Sequence, residues 1–600
     1  MSEPYRMIFV NLIGSFTLII GTIFYRFLYP KKHINLFIIL LLITILPIIS
    51  IFRSGTYESG DFNIHIYRSM AFFDSLREGN FMPSWAKDLN ATYGYPLFIF
   101  NYPLPYYIIS FFHFVGFSFI TSMKLFLGLN LVASGIFMYL FVNNVLKNKL
   151  SAFTSAIFYV FAPYHLIDVH FKIGIGEILT FTLIPLCFLG IRKLYFKRSV
   201  LNILFSSMLI ALLIMSHPAI ALFHSVIFLG YILLLQIRNK STFFIQMLSP
   251  LTIGFALSSY SWLGPIILQK YTVVQSSALK TVYFPTITDL FYSPWRMGFL
   301  FQGPSGETSF LIGYTQLVVV ILILFLILKN NIPAKKRADE IFWLLVFIVF
   351  SFLITPYSKM LWEHSWFLKP IGSHRLLLII AFSTSVLAGY LVLLARNRKT
   401  LIYLLITITV GYTILNWGHR RLIPEINDAV LRTNIWKSTS EGEGHFYAAP
   451  KWVDQKHLWS KNLPKAHMEI LKGVGEIKSF QRSSTIHVYQ VLAKTSLEIR
   501  ENTLYFPGWK IKSNGWEIPI NYTENGIIKF ILPKGSQHVE LTYQDVFELR
   551  LLKWLSGLSF FAIFLYIFFA TTKRLVPIFS SSSTYFRKIF TRKSFKKRGR

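Results

Sequence analysis

Apolar runs of about 17 to 22 residues recur from one end of this chain to the other, each long enough at ~1.5 Å per residue to cross a hydrocarbon core of ~30 Å. That recurrence leaves few folds open. Backbone polar groups find no water inside lipid, so runs of this length cross as helices, whereas the strands of a membrane barrel are shorter and alternate in polarity. Composition agrees: 54% of the 600 residues are hydrophobic and 17% aromatic, outside the usual range for soluble chains. The single cysteine, Cys187, lies in an apolar run and permits no intrachain disulfide.

The formal net charge of +33 would suit nucleic acid, but the lysines and arginines concentrate in short connectors between apolar runs, where positive-inside bias is the plainer cause. Nucleic acid is therefore set aside. The connectors hold Lys31 and Lys32; Lys147 and Lys149; Arg192, Lys193, Lys197 and Arg198; Arg238 and Lys240; Lys335, Lys336 and Arg337; and Arg396, Arg398 and Lys399. All face the cytoplasm together if helices cross near 7–27, 34–52, 122–143, 151–166, 177–192, 200–216, 219–236, 243–262, 309–328, 341–355, 375–395, 400–417 and 551–570. The first of these has no small-residue cleavage site and reads as a retained helix. The run 105–120, "PYYIISFFHFVGFSFI", would invert every later connector if it crossed, so it is expected to lie in the outer interface or to re-enter.

The expectation is an all-α polytopic membrane protein of about 12–13 transmembrane helices in a cell membrane, with a C-terminal β-sandwich outside. Its parts are membrane helices in 1–52, a first external loop with amphipathic interfacial helices in 53–121, a membrane core in 122–417, an external β-rich domain in 418–548, a last membrane helix in 551–570 and a basic cytoplasmic tail in 571–600. Within the β-rich part, "STIHVYQVLA", "SLEIRENTLY", "GIIKFILP" and "HVELTYQ" read as strands, separated by the turn signals "PGW", "SNG", "ENG" and "PKG".

The most polar short segment, "SGDFNIHIYRSMAFFDSLREGNFMPSW", follows directly on an apolar run and falls outside in this topology. A helix is expected over about 61–78, with Phe62, Ile66, Met70, Phe73 and Leu76 on one side and Asp61, His65 and Arg68 on another. Laid on the membrane by its apolar stripe, it would present a carboxylate, an imidazole and a guanidinium at the outer surface. Transfer of a sugar from a lipid phosphate to a hydroxyl needs a base, positive charge for the departing phosphate and a greasy groove at that depth. Asp61 is the candidate base or a ligand for a divalent cation, and its plain alternative is a helix-capping acid. His65 and Arg68 are candidate substrate-binding residues, set against solvated or phospholipid-contacting ones. The loop aromatics Trp85, Tyr93, Tyr102 and Tyr106 would stack on a sugar or guide a prenyl chain, or simply form an interface belt.

The string "GDFNIHIYR" followed by "EGNFMPSWAKDLNATYGYPLFIFNYPLPYYI" resembles the first external loop of GT-C-type glycosyltransferases. The likeness is nearest to prokaryotic membrane proteins labelled after a 6-pyruvoyl-tetrahydropterin synthase-related domain, through Asp61, His65, Gly79, Pro83, Trp85, Gly94, Pro96 and Pro103. It continues in "FAPYHLIDVHFKIGIGEILTFTLIPL", which brings in Lys172 and Glu177, and in "SKMLWEHSWFLKPIGSHRLLLI", where His374 precedes Arg375 in place of the aromatic residue relatives tend to show. The "PGW" sandwich resembles the external domain of YfhO-type bacterial membrane proteins. The resemblance implies a GT-C fold and inverting transfer from a polyprenyl-phosphate sugar to a glycan, lipid or protein acceptor, with Asp61 as base or metal ligand. Lys172 and Arg375 would hold the lipid phosphate, against ordinary snorkelling. Glu177 would bind metal or pair with Lys172, against a plain role in favouring the helix dipole. His217, in "MSHPAI", reads as a turn residue before Pro218.

No phosphate loop, H-E-x-x-H helix or CxxC pair occurs, and no zinc-binding histidine cluster supports pterin chemistry. The sequence points to no cofactor other than, where Asp61 serves as a ligand and not as the base, a divalent ion. The alternative function is a transporter or flippase for a lipid-linked glycan, for which buried ionisable groups at mid-membrane depth would be expected.

Overall fold

The computed structural model describes residues 3–591 apart from 240–242, 274–283, 330–333, 366–371, 396–397, 419–420, 435–447 and 454–462. Lys240 and Arg396 of the basic connectors and residues 592–600 of the basic tail lie outside the described residues. Among those described, seven helices are long and apolar enough to cross a membrane: Arg6–Leu28, Phe119–Leu146, Ile175–Phe196, Pro218–Asn239, Ser373–Leu394, Lys399–Asn416 and Phe547–Ala570. Three bent helix pairs pass the same test of length and composition when each is taken together, Lys149–Val160 with Pro163–Lys172 (48°), Gln246–Leu257 with Ser259–Tyr271 (58°) and Arg337–Ile354 with Pro356–His364 (82°). Pro163 and Pro356 cause two of the bends, because proline offers no backbone N–H and disfavours helix in the residue before it. At three further positions where crossings are expected the helices Leu36–Phe52, Val200–Ser216 and Tyr314–Leu328 are apolar but shorter.

The run expected to stay out of the crossing order forms the helix Leu104–Phe114 of 11 residues, roughly 16 Å long and too short to span. Its Tyr106 and Ile109 are buried while Phe111 and Phe114 are exposed, which is the two-sided character of an interfacial helix.

The helix of the first loop, Phe62–Arg77, falls where the sequence places it. Its surroundings do not match the expectation of a stripe lying on the membrane. Phe62, Ile66 and Met70 have no exposed surface, and His65 and Arg68 are each 3% exposed. The helix is packed on several sides by protein: Phe72 meets Phe98, Tyr106 and Tyr107 at ring-centroid distances of 5.0, 5.7 and 4.9 Å. An apolar stripe cannot tell a lipid surface from a protein one, and here the Leu104–Phe114 helix and the loop before it supply the cover.

Two short strands, β1 (Thr56–Tyr57) and β2 (Leu422–Ile423), pair antiparallel and tie the start of the first loop to the segment beyond the last core helix. Eight further strands form the C-terminal sandwich: β3 (Met468–Lys472), β4 (Gly475–Arg482), β5 (Ile486–Ala493), β6 (Leu497–Leu504), β7 (Trp509–Ser513), β8 (Trp516–Ile518), β9 (Ile527–Leu532) and β10 (Gly535–Tyr543). They make one sheet in the order β4-β5-β10-β7-β8 and another in the order β3-β6-β9. Alternation in β7, where Trp509, Ile511 and Ser513 are buried and Lys510 and Lys512 exposed, gives one face to the core and one to solvent.

The sandwich docks on the first loop. Trp85, expected among the substrate-binding aromatics, is fully buried between Trp509 and Tyr543 at centroid distances of 5.2 and 5.3 Å and so is a docking anchor. Gly94 allows this: it has φ +68°, and a Cβ there would sit 2.6 Å from the Trp85 Nε1. Arg482 donates to the Lys87 and Thr92 carbonyls at 2.8 Å each and pairs with Asp88 at 3.3 Å. Glu78 accepts the Ser484 N–H at 2.7 Å, and Lys553, at the start of the last helix, donates at 2.6 Å to the Met82 carbonyl, to Ser84 and to Asp545.

This docking carries a pH dependence. Burial acts to raise the Glu78 carboxyl, but the Lys87 ammonium and the Ser484 donors outweigh it and hold the group below its ordinary value of 4.5. Glu469 is likewise held down, by Arg500 and Asn502, against a burial effect of the opposite sign. Asp88 opposes them, because burial pushes its carboxyl up against the pull of Arg482. A depressed carboxylate contributes stability above its unfolded value and loses it as pH falls through the lower folded value, so the docked sandwich is expected to melt lower as pH is taken from 4.5 downward. Near-UV circular dichroism of the buried Trp85–Trp509 contact follows this, and a melting temperature that stays flat or rises over the range contradicts it.

Candidate active site

A buried charged cluster forms where the first loop meets the ends of two membrane helices. Its scaffold is the arm Pro163–Lys172. Residues Asp168–Lys172 form a π-turn, closed by Ile173 in the left-handed region at φ 61°. Such a turn widens the helix, and here it leaves Lys172 Nζ 3.3 Å from Asp168 Oδ1. The helix Ile175–Phe196 then begins, with Glu177 in its first turn. Glu177 Oε1 accepts from Lys172 Nζ at 2.5 Å and from Arg375 Nε at 3.0 Å, and Oε2 accepts from the Tyr164 hydroxyl at 2.5 Å. Arg375 enters from the short turn Ser373–Leu376 that opens the helix Leu377–Leu394.

Exposure orders these groups. The side chains of Asp168 and Glu177 are 0% and 4% exposed, while Lys172 and Arg375 keep 20% and 30%. The acids lie beneath and the cations reach outward, so what approaches from outside meets positive charge. Both Glu177 oxygens are already taken by donors, which suits an anion site and does not suit a divalent cation on Glu177. Among the described residues there is no group of three or more His, Cys, Asp and Glu side chains placed to hold a metal ion.

Asp61 is knit to this cluster through its backbone. The Gly60 and Asp61 N–H groups donate to the Phe171 and Lys172 carbonyls at 2.7 and 2.9 Å, and a Cβ on Gly60 would come 3.1 Å from the Lys172 carbonyl oxygen. Asp61 stands at the helix N-cap position without a side-chain capping bond there; Ser59 Oγ instead accepts the Phe62 N–H at 3.3 Å. The carboxylate is thus not used as the cap that was its plain alternative.

Tyr102 joins the site from the other side. Its ring stacks on His217 at 5.4 Å and packs against Gly176, where a Cβ would approach it to 2.7 Å. His217 accepts the Ile220 N–H at Nδ1 at 3.4 Å, which is the turn role expected of it. His65, placed on an open surface by the sequence, is instead buried, with Nδ1 3.0 Å from the Tyr106 hydroxyl, which also accepts from Asn101 Nδ2 at 3.1 Å. Arg68 is buried on the same helix, and neither residue faces an open outer surface. Of the expected site residues, Asp61, Tyr102, Lys172, Glu177 and Arg375 are brought to one place; Trp85 is not. Asp168 and Tyr164 were missed. The signal for Asp168 was an acid inside an apolar run, "YHLIDVHFK", where a charge is costly unless it is used.

The family described as "6-pyruvoyl-tetrahydropterin synthase related domain; membrane protein" matches residues 99–415. The chain belongs to this family. The matched segment contains Tyr102, Lys172, Glu177 and Arg375 and leaves Asp61 and the sandwich outside it. An uncharacterised protein of Lactococcus lactis subsp. cremoris is 26% identical over 336 residues, 54% of each chain, so this chain spans about half the length of that curated relative. Among solved structures, the Archaeoglobus fulgidus oligosaccharyltransferase in the apo form is similar with a TM-score of 0.39 at 11% identity, over 72% of this chain and 60% of that one. The arabinofuranosyltransferase AftD from Mycobacteria is similar with a TM-score of 0.43 at 14% identity, over 68% and 29%. For the arabinosyltransferase EmbB from Mycobacterium smegmatis the TM-score is 0.35 at 9% identity, over 86% and 63%.

Proposed function

We infer that this family member is a membrane glycosyltransferase that moves a sugar from a polyprenyl-phosphate donor to an acceptor hydroxyl at the outer face of the membrane. The observation that carries the reading is the pairing of Lys172 and Arg375 over a buried Glu177, with Asp61 held beside them by two backbone hydrogen bonds. Two cations sharing one carboxylate can share a phosphate in the same way, and the lipid tail would extend along the apolar helices below. The basic connectors support the orientation proposed, with this end outside.

In the step proposed, the acceptor oxygen attacks the anomeric carbon from the face opposite the phosphate. The bond between that carbon and the phosphate oxygen breaks, the electron pair leaves with the polyprenyl phosphate, and the acceptor proton passes to Asp61. Inversion at the anomeric carbon is the consequence. Lys172 and Arg375 stabilise the charge that grows on the departing phosphate, which is where preorganised donors lower a barrier most. Tyr102 lines the approach to the cations.

A donor screen tests this. The protein in lipid is incubated with radiolabelled polyprenyl-phosphate monosaccharides and an envelope-glycan extract, and release of polyprenyl phosphate is followed. Release from at least one donor, dependent on the extract, is expected. Movement of donor between leaflets without release from any donor would replace the reading with that of a flippase.

A further inference from the structure

A second group of side chains, away from the charged cluster, lies where the sandwich meets the membrane core. Tyr505 and Tyr522 stack at 3.8 Å with their planes 4° apart, and the Trp452 ring stands edge-on to both at 5.4 and 5.0 Å. Tyr271, at the end of the span Ser259–Tyr271, stacks on Trp452 at 6.4 Å. Lys451 lies 5.8 Å from the Tyr271 ring and 5.3 Å from the Trp452 ring, and Lys270 lies 5.1 Å from Tyr271. The four rings are half-buried and both lysines are exposed. Beside Tyr522, the exposed Asn521 accepts from the Thr523 hydroxyl at 2.8 Å, so amide and hydroxyl groups border the rings.

A packed junction alone would account for buried rings. It does not account for a platform that stays half open with two ammonium groups on its rim. Flat apolar rings bordered by polar groups suit the apolar faces and hydroxyls of a sugar, and the lysines add a preference for negative charge. The platform is also continuous with the charged cluster. Tyr271 meets Phe506 at 6.0 Å and Phe506 meets Phe100 at 6.4 Å, two residues before Tyr102, which stacks on His217 beside Gly176 and Glu177.

We propose that this junction, built from Tyr271, Trp452, Tyr505 and Tyr522 with Lys270 and Lys451, is an acceptor subsite for a sugar chain carrying phosphate or other anionic groups. It rests on the glycosyltransferase reading for its purpose, since the terminal hydroxyl of a bound chain would receive the sugar at the charged cluster.

The test uses the full chain in phosphatidylcholine nanodiscs, without donor, titrated with phosphate-substituted dextran and with plain dextran of the same length. Tighter binding of the phosphate-substituted chain is expected, weakened about tenfold by Trp452→Ala. Lys451→Glu, at an exposed position, is expected to weaken only the phosphate-substituted chain. Wild-type affinity in both variants overturns the proposal. So does a result in which phosphatidylglycerol nanodiscs abolish binding and Lys451→Glu restores it, which would make the patch a headgroup contact. Glycan bound here by a protein that releases no polyprenyl phosphate would remove the transferase reading and leave the subsite. Release at an unchanged acceptor KM in both variants would do the reverse.

Discussion

Asp61→Asn is expected to lower sugar transfer by a factor of about 10² to 10⁴, the range over which a positioned general base contributes. The fold should not notice. The backbone bonds of Asp61 survive the change: its N–H bonds the Lys172 carbonyl at 2.9 Å and its carbonyl accepts the His65 N–H at 2.9 Å. Asparagine has the same backbone and nearly the same shape, and the helix start is already served by Ser59. The variant should therefore melt with the wild type and bind donor with unchanged affinity while losing turnover. Normal transfer at normal protein level would show that Asp61 is not the base.

Glu177→Ala should have the largest effect on stability. It strips the counter-ion from Arg375, one of the two acids from Lys172 and the acceptor from Tyr164, all in a setting where Glu177 itself is 4% exposed. Removing one partner of a buried ion pair costs about 3–5 kcal/mol, and the partial exposure of the two cations places this case toward the lower end. Glu177→Gln keeps an acceptor oxygen and should cost less. The same change has an opposite effect on ligand affinity, because two cations freed of their resident carboxylate hold a lipid phosphate more tightly. A lower melting temperature together with a lower donor KM is the expected pair of results in Glu177→Gln. An unaltered melting temperature in Glu177→Ala would mean that these buried ion pairs do not hold the fold together.

The membrane helices were legible because a run of apolar residues has only one way to satisfy its backbone in lipid. The strands of the sandwich were legible for a comparable reason, as "HVELTYQ" alternates and the turns between strands carry glycine or asparagine. What could not be read was which side each face of a polar helix would find. The stripe of Phe62, Ile66 and Met70 has the same period whether lipid or protein covers it, and only the fold showed that it is buried in protein. Trp85 illustrates the same limit, since an aromatic in an external loop carries no mark that distinguishes a sugar platform from a plug between domains. The charged cluster was half legible. Lys172, Glu177 and Arg375 stood at helix ends, but their meeting joins residues 198 positions apart in the chain, and Asp168 was hidden by the π-turn that aims it at Lys172.

Phosphorus NMR of polyprenyl phosphate in nanodiscs with the protein tests directly whether Lys172 and Arg375 grip a lipid phosphate. A saturable shift of the phosphate resonance is expected with wild type and with Asp61→Asn, and its loss when Lys172 and Arg375 are both replaced by glutamine. A resonance that does not move with wild-type protein, or moves equally with the doubly substituted one, would contradict it.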